Sequence, residues 1–501
     1  MKKKIFIFQQ REWHNRIGNF LAQSLIKEGY DLGCITFKKN IHARILEYHQ
    51  DLYKIIISHD QIVEDPAKYI PEEYKNISLK QITEELEIES IWQLAQSARH
   101  HIKSYKKKFY YSFEQNKTDE EIELYFKALY FTAKRVYEEF KPDLIFTPNF
   151  VSLPHTIFNL YFKSKNVIMI GTVDCKVGGK DIFTYDYLNR DSNFIRYLKE
   201  LNLKKEITYD LSKVNKHIED SRVKIINKKN MNSQSDYFYY TNPIKHFYRF
   251  LRDSYISLRY KNVNRVNGLG PTPDDRTFSI ILRDNLTLLK NILFEKKIQY
   301  YDLKKIEKFA YFPLQVQPES TMDSLSPLYN NQIETARQIA LQLPPDYTLV
   351  VKDHPWMYGV RDYKYLIKIS KTPNIKLINF REDSLDVLNK SKILIAAGGS
   401  VIFEAAILKV PCLQLGELGT TQYLPNVFKR DLSLRLKEQI NKILLNEFSN
   451  DYDFKLKNYI YAGLTVGIDS VHRTSWLIKD KKINLDSTYE ILKNEIISHF
   501  K

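Results

Sequence analysis

Lys352, Asp353 and His354 stand at the end of an apolar run and just before a proline, in Tyr347-Thr-Leu-Val-Val-Lys-Asp-His-Pro355. A cation beside an imidazole can neutralise a phosphate leaving group, on whose oxygen negative charge develops as a glycosyl bond breaks. Further on, Ile393-Leu-Ile-Ala-Ala-Gly-Gly-Ser-Val-Ile-Phe-Glu404 runs from a strand through Gly398, Gly399 and Ser400 into a helix. Glycines let backbone N–H groups approach a phosphate, the helix start carries partial positive charge, and the serine hydroxyl adds a donor. Glu404, one turn inside, can accept from ribose hydroxyls. Phe312-Pro-Leu-Gln-Val-Gln-Pro-Glu-Ser-Thr321 is a third polar segment after a strand. There Gln317 can hydrogen-bond a sugar hydroxyl, and Glu319 can act as acid or base.

The first half offers two more candidates. Gln9-Gln-Arg-Glu-Trp-His-Asn-Arg16 follows the first strand and carries Glu12 and His14 as acid–base groups, against the blander roles of solvated loop or helix cap. Asp174 ends a later strand beside Gly178 and Gly179, where it can meet a substrate or merely cap a loop. Asp451-Tyr-Asp453 lies after the last strand of the second half and is set aside as a metal site, and no His/Cys cluster has metal-ligand spacing.

The elements that must position these groups alternate. Strand 5–8, helix 17–28 and strand 32–37 make a βαβ start, and residues 40–117 read as mixed helix and loop. Thr118 and Glu121 form a capping box that opens a helix running to Phe140. Strand, helix and strand follow over 143–173. Residues 308–415 give five strands separated by helices, which demands right-handed crossovers and a parallel sheet. Polar groups at the carboxyl ends of such strands sit where open α/β sheets bind ligands.

Five hundred and one residues are too many for one core, so two large domains are expected. Three widely spaced cysteines, Cys34, Cys175 and Cys412, give no disulfide framework, which fits a reducing cytoplasm. The apolar run after Met1 is too short for a signal peptide, and nothing approaches the ~20 apolar residues of a membrane span. The net charge is +16, and residues 221–300 hold 15 Lys/Arg against 6 Asp/Glu, an excess of nine. Ile244, Phe247, Tyr248, Leu251, Tyr255 and Leu258 form an apolar stripe there, flanked by Lys245, Arg249, Arg252 and Arg259. A basic helix with such a face can lie on an anionic membrane, here through 244–261, or simply pack on its own domain.

Phe-Pro-Leu-Gln-Val-Gln-Pro-Glu (312–319), Val-Lys-Asp-His-Pro (351–355) and Gly-Ser-Val-Ile-Phe-Glu-Ala (399–405), in that order, resemble the bacterial capsule and surface polysaccharide glycosyltransferases related to the Kdo transferases. The resemblance covers roughly residues 305–425. It implies an α/β, GT-B-like fold with two Rossmann-like parallel-sheet domains facing across a cleft. The divisions are then 1–235 on the acceptor side, a basic helical connector 236–305, a nucleotide-sugar-binding domain 306–480, and a C-terminal helix 481–501. The His-Pro pair is also similar to that of bacterial sialyl- and polysialyltransferases, where it contacts the phosphate of a CMP-sugar. By that resemblance His354 and Ser400 become phosphate contacts and a CMP-linked acidic sugar such as Kdo the donor, used as co-substrate without a resident cofactor or metal. The acceptor is then a glycan or glycolipid at the inner membrane face, with nucleic acid disfavoured. The rival activities are a nucleotide-sugar 2-epimerase, a CDP-polyol phosphotransferase, and a non-catalytic membrane- or nucleic-acid-binding protein.

Overall fold

A computed structural model describes residues 2–10, 13–98, 117–227, 278–470 and 486–500, with isolated positions between 247 and 258. Glu12 and most of 244–261 lie outside the described residues.

Seven strands build the first sheet: β1 (Lys4–Gln10), β2 (Asp31–Phe37), β3 (Ile55–Ser58), β4 (Leu144–Phe146), β5 (Ile168–Asp174), β6 (Lys180–Thr184) and β13 (Ile468–Asp469). Their order is β13-β6-β5-β4-β1-β2-β3, parallel from β3 to β5, with β6 antiparallel to both its neighbours. The second sheet holds β7 (Phe309–Pro313), β8 (Thr348–Lys352), β9 (Ile375–Ile378), β10 (Ile393–Ala396), β11 (Cys412–Gln414) and β12 (Val427–Lys429), in the order β12-β11-β10-β7-β8-β9 and parallel throughout. Taken in chain order, that is the doubly wound 3-2-1-4-5-6 arrangement. The two Rossmann-like sheets make the GT-B-like α/β architecture that the motifs imply.

Both faces of the second sheet are covered, so the central strands β7, β8 and β10 are apolar at consecutive positions rather than at alternate ones. Ala310, Phe312, Leu349, Val351, Ile393 and Ile395 pack with helices 332–340, 363–370 and 436–444. Phe309, Tyr311, Val350, Leu394 and Ala396 pack on the other face with helices 384–390, 401–407 and 452–466. That second cluster runs on into Cys175, Phe194, Leu198 and Val214, joining the two domains through one apolar contact.

The chain returns to the first domain before residue 480. Helix Tyr452–Val466 packs on helix Asn193–Leu203, β13 pairs with β6, and Leu492 and Ile496 of helix Asp486–Ser498 enter the core behind β1. Polar ties cross as well: Arg190 Nε donates to Glu417 Oε2 at 3.0 Å, and Asn330 donates to Gln96 at 3.3 Å. Asn330 follows β7 and Glu417 follows β11, so the carboxyl rim of the second sheet faces the first domain. The stretch 40–117, read as helix and loop, contains β3. Its four residues Ile-Ile-Ile-Ser are too few to declare a period.

Candidate functional site

The order of the second sheet reverses between β7 and β10, and an open α/β sheet leaves a crevice outside the strand ends at that point. The loop after β7, the turn after β8 and the glycine turn after β10 all meet there. Gly399 has φ +102°, and a Cβ on it would lie 3.2 Å from Gln315 Oε1. A Cβ on Gly398 would lie 2.8 Å from Thr321 Cγ2. The glycines therefore let two loops touch, and Gly399 does so in a backbone conformation that L side chains rarely adopt. Ser400 is exposed beside them, and its side chain makes no capping bond.

His354 caps the turn Pro355–Met357, its Nδ1 accepting the Trp356 N–H at 3.1 Å. Burial, and then the charges of Lys352 and Arg361, lower its pKa to about 4. The ring is neutral, and because Nδ1 accepts, the proton sits on Nε2. His354 thus offers a directed N–H rather than the positive charge its setting suggested. Trp356 stands beside it, 56% exposed and edge-on, with ring centroids 5.7 Å apart.

Lys352 is 3% exposed and lies behind the rim, donating to Ser384 Oγ at 2.7 Å. Burial lowers its pKa to about 8, against the pull of Asp383, Asp353, Glu382 and Glu404. It supplies a positive field more than a direct contact. Glu404 acts electrostatically on both Lys352 and Tyr311, so it belongs to this cluster and is no bare surface carboxylate.

One expected result follows from Lys352. In the folded chain it loses its proton as pH rises through about 8, so donor binding should weaken there, and Lys352→Met should abolish that alkaline limb. Stability moves the other way. The unfolded lysine holds its proton to about 10.4, so between these values unfolding takes up protons and this group's contribution to stability rises with pH. Binding titrations and melts from pH 7 to 10 check both signs; an alkaline limb unchanged in the methionine variant would assign it elsewhere.

Asp353 and Arg361 hold the site's shape. Arg361 Nε donates to Asp353 Oδ1 at 2.9 Å and its Nη2 to the Gln315 carbonyl at 2.8 Å, tying the turn after β8 to the loop after β7. Asp353 Oδ1 also accepts the His354 N–H at 2.8 Å. Burial pushes the Asp353 carboxyl up, and Arg361 pulls it back.

Other expected site residues occupy different settings. Gln317 is 3% exposed, its Nε2 donating to the Asn330 carbonyl at 2.7 Å and its Oε1 accepting from Gln332 at 2.8 Å. Both ends of its amide are used, so it braces the loop instead of touching a sugar. Glu319 is exposed at the end of that loop, preceding the short helix Ser320–Asp323. Asp174 accepts from the backbone N–H of Lys176 at 2.7 Å and pairs with its ammonium at 3.0 Å. Its hairpin lies under helix 452–466, where Tyr459 donates to the Cys175 carbonyl and Gly463 packs on Val177, while the Asp174 side chain stays one-third exposed. His14 is 1% exposed, bonded through Nδ1 to Gln9 Oε1 at 2.8 Å, and burial lowers its pKa to about 4. It is a neutral core histidine.

The first sheet reverses order between β1 and β4, and its carboxyl rim holds groups that sequence reading passed over. Gln10 ends β1 and its amide N–H contacts His155 Nε2, while His155 Nδ1 donates to Ser152 Oγ at 2.8 Å. The Phe37 ring stacks on both His155 and His59, and His59 bonds the Tyr125 hydroxyl at 2.7 Å. The available signal was Ser152-Leu-Pro-His155, a serine and a proline at a helix start.

No protein-family model matches the chain, and no curated protein matches it significantly. Among solved structures it is similar to KpsC, a β-Kdo 2,7-transferase from Thermosulfurimonas dismutans, at 13% identity over 66% of this chain and 78% of that one, with a TM-score of 0.32. The calicheamicin glycosyltransferase CalG4 is 12% identical over 96% of this chain and 100% of its own, with a TM-score of 0.26. A UDP-GlcNAc 2-epimerase from Neisseria meningitidis, bound to UDP-GlcNAc, is 13% identical over 99% and 100%, with a TM-score of 0.25. Likenesses of this degree assign neither substrate nor reaction.

Proposed function

We propose that the chain is a glycosyltransferase that takes a sugar from a nucleotide-activated donor, a CMP-linked acidic sugar such as Kdo favoured, and adds it to a growing surface or capsular polysaccharide. The observation that supports this reading is the strand order β10-β7-β8, which sets the Gly398-Gly399-Ser400 turn after β10 and His354 after β8 on either side of β7 at one rim, with the buried Lys352 ending β8. A phosphate placed there receives the His354 Nε2–H, the serine hydroxyl and the glycine backbone. As the bond from the anomeric carbon to the phosphate oxygen breaks, its electron pair passes to that oxygen, where these donors stabilise it. The acceptor hydroxyl bonds to the anomeric carbon and gives up its proton. Glu319, exposed on the same rim, is the proposed carrier. No resident metal ion enters the proposal.

Thermal-shift measurements with CMP, UDP and GDP test the site. A nucleotide at a hundredfold excess over its Kd stabilises by about 2.7 kcal/mol, and CMP is expected to give the largest shift. No stabilisation by any nucleotide, with no consumption of CMP-Kdo, would end the proposal. Release of an epimerised free sugar or a transferred polyol phosphate would reassign the reaction on the same crevice.

A further inference from the structure

Helix Phe278–Phe294 carries two apolar faces. Ile281, Leu288 and Asn291 are buried, and the C-terminal half of the helix packs on the second domain, where Leu288 lies against Gly359, Asn291 donates to the Gly359 carbonyl at 3.0 Å and Phe294 stacks on Tyr363. Phe278, Leu282, Leu286, Leu289 and Leu293 are 38–73% exposed. At 3.6 residues per turn these five fall within an arc of about 80°, clear of the buried face. The described residues between 247 and 258 are also helical and show Phe247, Tyr248, Leu251, Tyr255 and Leu258 to solvent. Phe250 meets Phe278 with ring centroids 6.5 Å apart, so the two helical segments touch at that point. Ten large exposed side chains in one region make a patch of the kind that marks an interaction surface.

We infer that this double stripe docks on the surface of an anionic lipid bilayer. Charge selects this occupant over a second copy of the chain. Lys290 flanks the stripe of helix 278–294, as does Arg283, which is paired with Asp284, Lys296 and Lys297 follow its end, and residues 221–300 carry nine more cations than anions. Two copies meeting on this face would bring like charges together, whereas anionic headgroups neutralise them. A helix with a leucine-rich face, flanking lysine and arginine, and neighbouring tyrosines lies in the plane of a membrane interface without crossing it. No helix among the described residues is long and apolar enough to span a bilayer. The inference does not depend on the glycosyl-transfer reading.

Co-sedimentation of the full chain with vesicles tests it. Binding is expected to vesicles of phosphatidylcholine mixed with phosphatidylglycerol, weakly or not at all to phosphatidylcholine alone, and to fall as salt is raised. The double variant Leu286→Glu, Leu289→Glu should lose about tenfold or more in affinity, since two leucines no longer leave water. Both residues are exposed, so its melting temperature should match the parent's. Lys290→Gln with Lys296→Gln and Lys297→Gln should weaken binding and its salt dependence while leaving the apolar stripe intact. Absence of binding to the mixed vesicles, binding unaltered by the glutamate pair, or a parent dimer that the glutamate pair dissociates would each overturn the inference.

Discussion

Arg361→Met is expected to destabilise the second domain by about 3–5 kcal/mol, a fall in Tm of roughly 10 °C. The Arg361 side chain is fully buried and its carboxylate partner is 6% exposed, so neither charge is screened by water. Methionine approximates the stem but leaves Asp353 in an apolar setting, with its pKa driven further up. The Gln315 carbonyl also loses one of its two donors, keeping only Gln332 Nε2 at 3.2 Å, so the loop after β7 loses this tie to the turn after β8. Adding Asp353→Asn should restore most of the stability, because a neutral amide needs no counter-ion, while donor binding stays impaired because the loops remain untied. Chemical denaturation of the single and double variants checks this. A single variant within about 1 kcal/mol of the parent would mean that the pair is not the tie described.

His354→Ala is expected to cut kcat/KM by roughly 100- to 1000-fold, the usual loss when one directed donor to a developing anion is removed. Stability should change little, since the main structural loss is one capping acceptor for the Trp356 N–H. His354→Asn should retain part of the activity, because its amide can donate from a nearby position. The pH profile separates a neutral donor from a cation. With its pKa lowered to about 4, His354 keeps one charge state through neutral pH, so activity should show no acid limb near pH 6.5. A limb there that disappears in the asparagine variant would show that the imidazolium is the working form.

The crevice was partly legible before any fold was known. Val350 and Val351 belong to a run that is apolar at every position because both sheet faces are covered, so Lys352 announces where the strand ends. The glycines before Ser400 mark a turn between strand and helix for a similar local reason. Arg361 gave no such signal. Eight residues beyond Asp353 and next to Asp362, it looks like any solvated arginine, and only the approach of the loop after β7 encloses it. His14 misled in the opposite sense: its neighbours Arg11, Glu12, Asn15 and Arg16 are polar, yet the π-helical turn His14–Gly18 directs His14 and Ile17 into the core. Asp174 ends its strand as expected, but a helix nearly 300 residues later covers its hairpin.

The sequence by itself determined the alternation of strands and helices, the strand ends where charged and glycine-rich turns emerge, and the surplus of positive charge in 221–300, because each follows from neighbours along the chain. Only the tertiary structure decided which strand ends meet. The order 3-2-1-4-5-6 brings the turns after β7, β8 and β10 together across contacts that no local period encodes. It also decided which polar groups are buried, and hence that His354 is a neutral donor and Lys352 a weakened base, because desolvation depends on atoms brought from distant parts of the chain.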